Sequence, residues 1–473
     1  MTDFTKLFFP RAVGIIGVNE KPYGGGYFLN CLKSIKFDKP LYIFNPRLKG
    51  QEIEGIKVLG SILEVPDNET IDYVIIAVPA DLCASILKEV GQKKVPFATI
   101  FTSGFSEVGR DDLEDEILKI SRFYNIRIIG PNCLGVYNPK SRLSISRWHT
   151  TDTGSLGIIS QSGGLSIYMS NMAIYTYNTY LSKLISIGNQ IDLNVVDFLS
   201  YFLNDTETKT IGIYLENIKN QEIGKKFIKI VKKLSFQKRK PVILWKVGFG
   251  ESAKEAIFSH TGGMAGSTKI WKAISKQTGA ILVQDSFELI TLAMAFRYID
   301  FSLVNRNLGI VAVGGGSSIE LTEHMEFYKL SVPKLHSKTF EKFKKILPDV
   351  NTIIRNPLDL GGSGLVPEIF SQCLITLDSD PNISVVIFIK PYYFNKEFIE
   401  CVLNAKSNMK KPLICIAHKV MDDIDDYRDK LNFKEALFKA GVPVFESIEL
   451  AAKALDRMCN YKRSLEKRQI LEK

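Results

Sequence analysis

The sequence has few of the residues from which metal sites and disulfide frameworks are built. Its 473 residues include five histidines, three tryptophans and seven cysteines, and the cysteines stand singly without a CxxC pair. This pattern predicts a reduced, cytoplasmic protein with no structural zinc site. No apolar run approaches the ~18 residues that span a bilayer, and the N-terminal segment lacks the basic region of a signal peptide. Neither membrane insertion nor secretion is therefore expected.

A large excess of charge of one sign is also absent. The chain carries 61 basic and 51 acidic residues, a net charge of +10, and its lysines are spread over what should be the solvent-facing sides of helices. Dispersed lysines are typical of solvated surfaces, so no nucleic-acid partner is expected. A small anionic ligand is the simpler explanation for an excess of this size.

Short apolar runs rich in valine and isoleucine alternate with amphipathic stretches along the whole chain. The runs AVGIIGV, PLYIF, YVIIAVP, FATIFTSG and IRIIGPNCLG form a first series, and further series begin at GSLGIISQSGG and LGIVAVGGGSS. Buried strands that alternate with helices predict an α/β fold of doubly wound parallel sheets. We expect a Rossmann-like domain over residues 1–145 and two flavodoxin-like domains over 146–300 and 301–473.

In such sheets, ligands bind where strands end and turns lead into helices. The first turn holds Gly17 and three consecutive glycines at 24–26. Glycines allow a phosphate to approach the backbone at a helix N-terminus, but the spacing is not GxGxxG. On its own, this loop is equally well an ordinary glycine-rich turn.

The end of the second strand is more informative. An NAD site usually has an acidic residue there, whereas this strand ends in Asn45, Pro46 and Arg47, with Lys49 close by. The basic residues could pair with a phosphorylated ribose, which an acidic residue would repel. Coenzyme A carries a 3′-phosphate on its ribose, so the turn favours CoA over NAD.

Three further turns follow apolar strands at the same predicted sheet edge. They supply small or amide groups from Val78 and Pro79, from Ser103, Gly104 and Phe105, and from Asn132 and Cys133. Each of these turns alone could be purely structural, and buried packing is an alternative role for Cys133.

The second series begins with a strand that leads into Ser162, Gly163 and Gly164 and then into an amphipathic helix. A hydroxyl and unpaired backbone N–H groups at a helix start can hold a phosphoryl group. The alternative is an ordinary serine N-cap with a flexible glycine pair.

A later turn carries His260 among small residues that include Gly262 and Gly263. An imidazole with a pKa near neutrality is a competent nucleophile towards a phosphoryl group. Glu216 ends a buried strand and could accept the ring N–H, fixing the tautomer and stabilising the charged form. A lone histidine is more often structural, and Glu216 could instead cap a neighbouring helix.

These motifs occur in the order GIIGV…GGG, NPR, AVP, TSGFSEVG, GPNCLG, SQSGG, SIGN, YLEN and SHTGGMAGS. In that order, and over essentially the whole chain, the sequence resembles the α subunit of ADP-forming acetyl-CoA synthetases. It is more distantly similar to the α subunit of succinyl-CoA synthetase. GPNCLG, SQSGG and SHTGGMAGS are the most specific segments.

The third series departs from the family pattern in part. The family usually has Gly-Gly-Pro-Gly and an aspartate where this chain has Gly-Gly-Ser-Ser at 315–318 and Glu323. Asn356, Pro357 and Asp359 keep the family's NPxD pattern, which could be only a structured turn. No function is assigned to this domain.

The resemblance implies a reversible phosphoryl relay in an acid–thiol ligase. Acyl-CoA and phosphate would give CoA and an acyl phosphate, His260 would take the phosphoryl group, and ADP would receive it. Glu216 would stabilise His260, while the Ser162 helix start with Gly262 and Gly263 would hold phosphate. CoA would lie across the first-domain turns, at Gly17, Asn45, Pro46, Arg47, Val78, Pro79, Ser103, Gly104, Phe105, Asn132 and Cys133. ATP or ADP with Mg²⁺ would bind a separate ATP-grasp β subunit, in an α₂β₂ complex or similar.

Two other functions remain open. One is a non-catalytic CoA-binding or regulatory module related to protein acyltransferase scaffolds, although those relatives tend to lose the SHTG histidine that this chain keeps. The other is a Rossmann-type oxidoreductase, which the missing GxGxxG and Asn45 disfavour. The acyl group is open as well, and acetate or a similar short carboxylic acid is expected only by analogy.

Overall fold

The structure is a computed structural model that describes residues 2–250, 252, 267–348, 352–391, 396–417 and 424–471. The chain forms two compact units, Met1–Leu289 and Ile290–Lys473. The first unit contains two β-sheets and the second contains one, and most strand pairs are parallel. The predicted α/β class is confirmed. No helix in the described part of the chain is both long and apolar enough to cross a membrane.

The first sheet of unit one has seven strands in the order β3-β4-β2-β1-β5-β6-β7. Its strands are β1 (Val13–Ile16), β2 (Leu41–Phe44), β3 (Glu52–Ile53), β4 (Ile56–Leu59), β5 (Tyr73–Ile76), β6 (Phe97–Ile100) and β7 (Arg127–Ile129). Its helices are α1 (Thr5–Phe8), α2 (Gly25–Ser34), α3 (Ala80–Gln92) and α4 (Asp111–Tyr124). Only β3 runs antiparallel to its neighbour.

Every residue of β1, β5 and β6 is buried, as expected for central strands covered by helices on both faces. The strand β1 lies between β2 and β5, so the chain continues on one side of β1 and later on the other. Such a reversal opens a crevice at the carboxyl ends of the strands, where doubly wound sheets bind ligands.

The second sheet of unit one has six strands in the order β13-β12-β11-β9-β10-β8. Its strands are β8 (Gly135–Tyr137), β9 (Leu156–Ser160), β10 (Leu181–Ser186), β11 (Thr210–Leu215), β12 (Val242–Lys246) and β13 (Ile281–Val283). Its helices are α5 (Gly163–Asn171), α6 (Val195–Asn204), α7 (Gln221–Lys232) and α8 (Thr268–Thr278), and α9 (Ser286–Tyr298) follows. The strand β8 comes from the predicted first domain but pairs antiparallel with β10, so the boundary at 145 stays a prediction.

The loop after β10 fixes the two sheets of unit one to each other. The backbone N–H groups of Asn189 and Ile191 donate to the carbonyls of Pro131 and Gly130, at 2.9 and 3.1 Å. A Cβ at Gly188 would lie 2.1 Å from the Pro131 carbonyl oxygen, so only glycine permits this approach. The predicted GPNC turn therefore lies directly beside the second sheet.

Unit two has one parallel sheet in the order β15-β14-β16-β17-β18. Its strands are β14 (Leu308–Ala312), β15 (Leu358–Asp359), β16 (Val385–Ile389), β17 (Leu413–Ile416) and β18 (Val444–Phe445). Its helices are α10 (Gly315–Phe327), α11 (Ser337–Ile346), α12 (Pro367–Asp378), α13 (Lys396–Asn408), α14 (Ile424–Lys439) and α15 (Ile448–Leu471).

The NPxD residues of unit two serve the local backbone. The Asn356 side chain donates to the carbonyls of Leu308 and Pro333 at 2.7 and 2.9 Å. The Asp359 carboxylate accepts from the N–H groups of Gly314 and Gly361 at 2.9 and 3.0 Å. These contacts fit a structured turn that closes the glycine loop before α10.

Candidate functional site

The glycine loop after β1 is closely packed. Gly17 has a φ of +90°, and a Cβ there would lie 2.4 Å from the Ala77 carbonyl oxygen. A Cβ on Gly25 would lie 2.5 Å from the Gly17 carbonyl oxygen. Helix α2 begins at Gly25, and no side chain caps its N-terminus. The loop thus holds a helix start where backbone N–H groups can meet an anion.

Beside this loop, the ends of β1, β2 and β5 enclose a cavity of about 520 Å³. Six of the predicted CoA-binding residues line it, and we name it the Arg47 cavity: Gly17, Asn45, Pro46, Arg47, Val78 and Pro79. The structure therefore brings together three turns that are far apart in the sequence.

Within the Arg47 cavity, the Asn45 amide shapes the turn. Its nitrogen donates to the Val18 carbonyl at 2.7 Å, and its oxygen accepts from the Arg47 N–H at 3.0 Å. Lys49 forms an ion pair with Glu64 at 2.9 Å. Arg47 is exposed and has no ion pair with any carboxylate of the described residues. Arg47 is thus the basic group of this turn that can pair with a ligand phosphate.

The TSGFSE turn is placed differently from the other predicted turns. The N–H groups of Gly104 and Phe105 donate to one oxygen of Glu107, at 2.5 and 3.2 Å. The Phe105 ring is fully buried in the hydrophobic core, and Ser103 is exposed. None of the three lines the Arg47 cavity, and the Glu107 carboxylate occupies the amides of Gly104 and Phe105.

A second cavity, of about 480 Å³, lies between the two sheets of unit one. We name it the Ser162 cavity. The first sheet contributes residues including Tyr23, Tyr27, Phe101, Asn132 and Cys133, and the second contributes Gln161, Ser162, Gly163, Gly164, Ile167 and Asn189. Asn132 and Cys133 are thus brought to the same place as the predicted phosphate-binding helix start. Burial raises the pKa of the Cys133 thiol to about 12, so the thiol remains protonated.

Ser162 is the N-cap of helix α5, and its hydroxyl oxygen accepts from the Leu165 N–H at 3.3 Å. A Cβ at Gly164 would meet nothing within 4 Å, whereas one at Gly163 would lie 3.1 Å from Leu134. The Ser162 cap and Gly164 both lie in the first turn of α5, and this turn lines the Ser162 cavity. A helix start of this kind suits a phosphate.

Glu216 lies at the neighbouring strand end, immediately after β11, and only 4% of its surface is exposed. The Tyr214 hydroxyl donates to its carboxylate at 3.1 Å. The Gln161 side-chain oxygen accepts from the N–H groups of Glu216 and Asn217, at 2.9 and 3.2 Å. Gln161 therefore links the Ser162 turn to Glu216. Sequence reasoning missed this role, although Gln161 lies inside the SQSGG motif.

Lys246, at the end of β12, was also missed. It is 3% exposed, and its ammonium group donates to the carbonyls of Glu216 and Val247 at 2.8 and 2.5 Å. It also lies 5.4 Å from the centre of the Trp271 ring. Burial lowers the pKa of Lys246 to about 8, against the opposing effect of Glu216. The sequence signal for Lys246 was its position as the one charged residue at the end of the apolar run VILWK.

The remaining predicted residues, His260, Gly262 and Gly263, lie outside the described residues. Within the described part of the chain, no group of three or more histidine, cysteine, aspartate or glutamate side chains is arranged to hold a metal ion. Among the described residues, the candidate site therefore consists of the Arg47 cavity, the Ser162 cavity and the buried residues Glu216 and Lys246.

Two family models match the N-terminal part of the chain. A CoA binding domain model matches residues 11–139, and a model described as succinyl-CoA ligase like flavodoxin domain matches residues 153–296. These matches confirm the predicted character of the first two folds.

Relatives extend the similarity to the whole chain. Acetate–CoA ligase [ADP-forming] II subunit alpha of Pyrococcus furiosus is 32% identical, over 96% of both chains. Acetate–CoA ligase [ADP-forming] of Methanocaldococcus jannaschii is 38% identical over 75% of this chain, which spans only 49% of that protein. A solved dinucleotide-forming acetyl-coenzyme A synthetase 1 of Ca. Korarchaeum cryptofilum, in complex with phosphate and ADP, is 26% identical and has a TM-score of 0.84 over 98% of both chains.

Proposed function

Since the chain belongs to the family of α subunits of ADP-forming acetate–CoA ligases, we propose that it works as the CoA-binding, phosphoryl-carrying subunit of such a ligase. The proposed reaction is the reversible conversion of acyl-CoA, phosphate and ADP into a carboxylic acid, CoA and ATP. We also propose that the chain divides into three domains, at residues 1–145, 146–300 and 301–473.

One observation carries this proposal. The Ser162 cavity is lined both by turns of the CoA-type domain, at Asn132 and the glycine loop, and by the helix start of the flavodoxin-like domain. A thioester delivered from the first domain would meet, in one cavity, the amides that suit an attacking phosphate. Neither domain alone has this combination.

The residues of the first domain fit CoA. Only glycine at 17 and 25 permits the close packing of this loop, since a Cβ at either position would collide with the backbone. No side chain caps the start of α2, so its N–H groups could bind a diphosphate. Arg47, which lies beside this loop and has no ion pair with a described carboxylate, would pair with the 3′-phosphate. The pantetheine arm would then run past residues 22–24 into the Ser162 cavity.

The phosphoryl relay would proceed in three transfers. Phosphate attacks the thioester carbonyl and expels the CoA thiolate, which leaves an acyl phosphate. A ring nitrogen of His260 takes the phosphoryl group and releases the carboxylate, and ADP then removes it as ATP. The buried Glu216 carboxylate would stabilise the charged imidazole, while Gln161 and Lys246 hold the main chain of Glu216 in place.

We propose that ATP or ADP and Mg²⁺ bind on a separate ATP-grasp β subunit, in an α₂β₂ complex located in the cytoplasm. The relatives from Pyrococcus furiosus are named as alpha subunits, which implies a partner chain. The relative from Methanocaldococcus jannaschii is about twice the length of the matched stretch, as expected for a protein in which the α and β parts are fused in one chain. All seven cysteines are free, which suits a reducing compartment.

The test is a reconstituted assay with the full chain and its partner. ATP formation from ADP should require phosphate and an acyl-CoA, and a panel of acids in the reverse direction would identify the acyl group. Glu216→Gln should bind CoA normally but lose turnover. CoA binding without turnover by the wild-type complex would favour a regulatory module instead, and NADH binding without CoA binding would favour an oxidoreductase.

A further inference from the structure

One side of helix α3 borders the Arg47 cavity. Leu82, Ile86 and Glu89 all line the cavity, and they stand four and three residues apart along the helix. Residues with this spacing lie on the same side of a helix, so the Glu89 side chain leaves α3 in the same direction as those of Leu82 and Ile86. The residue that follows each of the three in the chain is buried in the hydrophobic core. The helix therefore packs on the core with one side and lines the cavity with the next.

The Glu89 carboxylate is held in place through one of its two oxygens. The Ser61 hydroxyl, which also lines the cavity, donates to Glu89 Oε2 at 2.5 Å. The Ser61 oxygen in turn accepts from the Leu63 N–H at 3.1 Å, so the hydroxyl is itself fixed. Lys93, four residues beyond Glu89, pairs with Asp67 at 2.8 Å instead. In the part of the chain that the structure describes, no group donates to Glu89 Oε1, and this oxygen keeps its capacity to accept from a ligand.

The lining of the Arg47 cavity shows what kind of ligand it suits. Arg47 and Glu89 are the charged residues among the described residues that line it, and they do not pair with each other. The wall next to Glu89 is apolar and includes Ile62, Ile86 and Leu82, of which Leu82 is 51% exposed. A ligand that fits must therefore combine an anionic group for Arg47, an apolar body for this wall and a hydrogen-bond donor for Glu89. A nucleotide with an amino group on its base has all three.

We propose that the Glu89 carboxylate accepts a hydrogen bond from the 6-amino group of the adenine of CoA and so determines specificity for that base. This inference rests on the proposed CoA-dependent function. With the 3′-phosphate at Arg47 and the diphosphate at the start of α2, the base is left for the apolar wall formed by α3 and Ile62. Adenine has its hydrogen-bond donor at the 6-amino group, whereas its ring nitrogens are acceptors. A carboxylate offers acceptors, so the amino group is the part of the base that Glu89 can bind.

The experiment removes the amino group from the ligand and the carboxylate from the protein. Calorimetry with the full chain compares CoA with an analogue whose base is unsubstituted purine, in which hydrogen replaces the 6-amino group. The wild type should bind the analogue about tenfold more weakly than CoA, which is the effect of losing one hydrogen bond to a charged acceptor. In Glu89→Ala and Glu89→Leu, the analogue should bind as tightly as CoA, because the acceptor is gone.

Asp81→Ala is the matched control. Asp81 lies on the same helix, but it pairs with Arg110 at 3.0 Å and does not line the Arg47 cavity, so the tenfold difference should persist. Equal binding of CoA and the analogue to the wild type overturns the inference without any variant. A difference that persists in both Glu89 variants also overturns it, because another acceptor then makes the bond. Loss of the difference in Asp81→Ala as well would show a general effect of removing charge from α3, with the same consequence. Absence of CoA binding by the wild type would instead refute the proposed function.

Discussion

The side-chain ammonium group of Lys246 donates a 2.8 Å hydrogen bond to the main-chain carbonyl of Glu216. The contact joins the ends of β11 and β12, and the chain continues from β12 towards the segment that carries His260. A buried lysine costs free energy that an apolar residue at this position would not, and here the ammonium group holds the main chain that carries the Glu216 carboxylate. We therefore treat Lys246 as a positioning residue for Glu216.

Replacing Lys246 by methionine should slow turnover while leaving CoA binding intact. The variant removes the donor to the Glu216 and Val247 carbonyls, so the carboxylate should lose its fixed position. We expect kcat to fall about ten- to a hundredfold, since misplacing a reacting group by ~1 Å has an effect of that size. The KM for CoA should change less than threefold.

Lys240→Met is the control for Lys246→Met. Lys240 is also buried, but it precedes the other end of β12 and donates to the carbonyls of Phe202 and Asp205 at 2.6 and 2.5 Å. Its replacement should lower stability without changing kcat. Equal loss of kcat in the two variants would show that general destabilisation, not positioning, explains the result.

The pKa of Lys246 makes a separate prediction for stability. Burial lowers this pKa to about 8 from its ordinary 10.5, so between these values the unfolded chain holds a proton that the native chain has lost. The free energy of unfolding contributed by this group therefore rises with pH over that interval. Urea denaturation of the wild type and Lys246→Met should show the wild type gaining relative stability between pH 7 and pH 10. A pH-independent difference would contradict this account.

Arg47→Ala should weaken CoA binding about three- to tenfold, because one exposed charge-assisted contact to the 3′-phosphate is lost. The same variant should bind dephospho-CoA as the wild type does. Lys49→Ala is the matched control, since Lys49 is already paired with Glu64 and should matter less. An equal loss for CoA and dephospho-CoA in Arg47→Ala would show that Arg47 does not contact the 3′-phosphate.

Gly17→Ala should destabilise the first domain and impair CoA binding. A Cβ at this position would lie 2.4 Å from the Ala77 carbonyl oxygen in a backbone with φ of +90°. Strain of this kind costs about 1–3 kcal/mol before the collision is relieved. Gly224→Ala, in helix α7 with only an Ile218 methyl group within 4 Å, should instead stabilise the chain by about 0.5–1 kcal/mol. Thermal unfolding of the two variants checks the contrast.

Much of the fold and part of the site were predictable because they depend on local pattern. Buried strands such as β1 and β5 are visible in the sequence as apolar runs. The turns at Asn45 and Ser162 each follow the carboxyl end of a parallel strand, β2 in the first sheet and β9 in the second. Phe105 shows the limit of this reasoning. Its motif resembles an exposed turn, but Glu107 folds back onto its amide and the ring enters the core.

The groups that sequence reasoning missed depend on partners distant in the chain. Gln161 contacts Glu216 across 55 positions, Lys246 contacts it across 30, and Asn189 reaches Glu107 across 82. His149 also depends on tertiary packing, because its ring stacks on Tyr137 and burial lowers its pKa to about 3. Such pairings arise from tertiary packing, and no local spacing distinguishes them.

The most direct test of the account is phosphorylation of the chain itself. The full complex is incubated with ATP labelled on the γ-phosphate, and the acid- and base-stability of the label on this subunit is measured before mapping by mass spectrometry. The account predicts an acid-labile, base-stable label on His260 that is absent from His260→Ala and discharged by ADP. A label that persists in His260→Ala, or no label in an active wild-type complex, would contradict it.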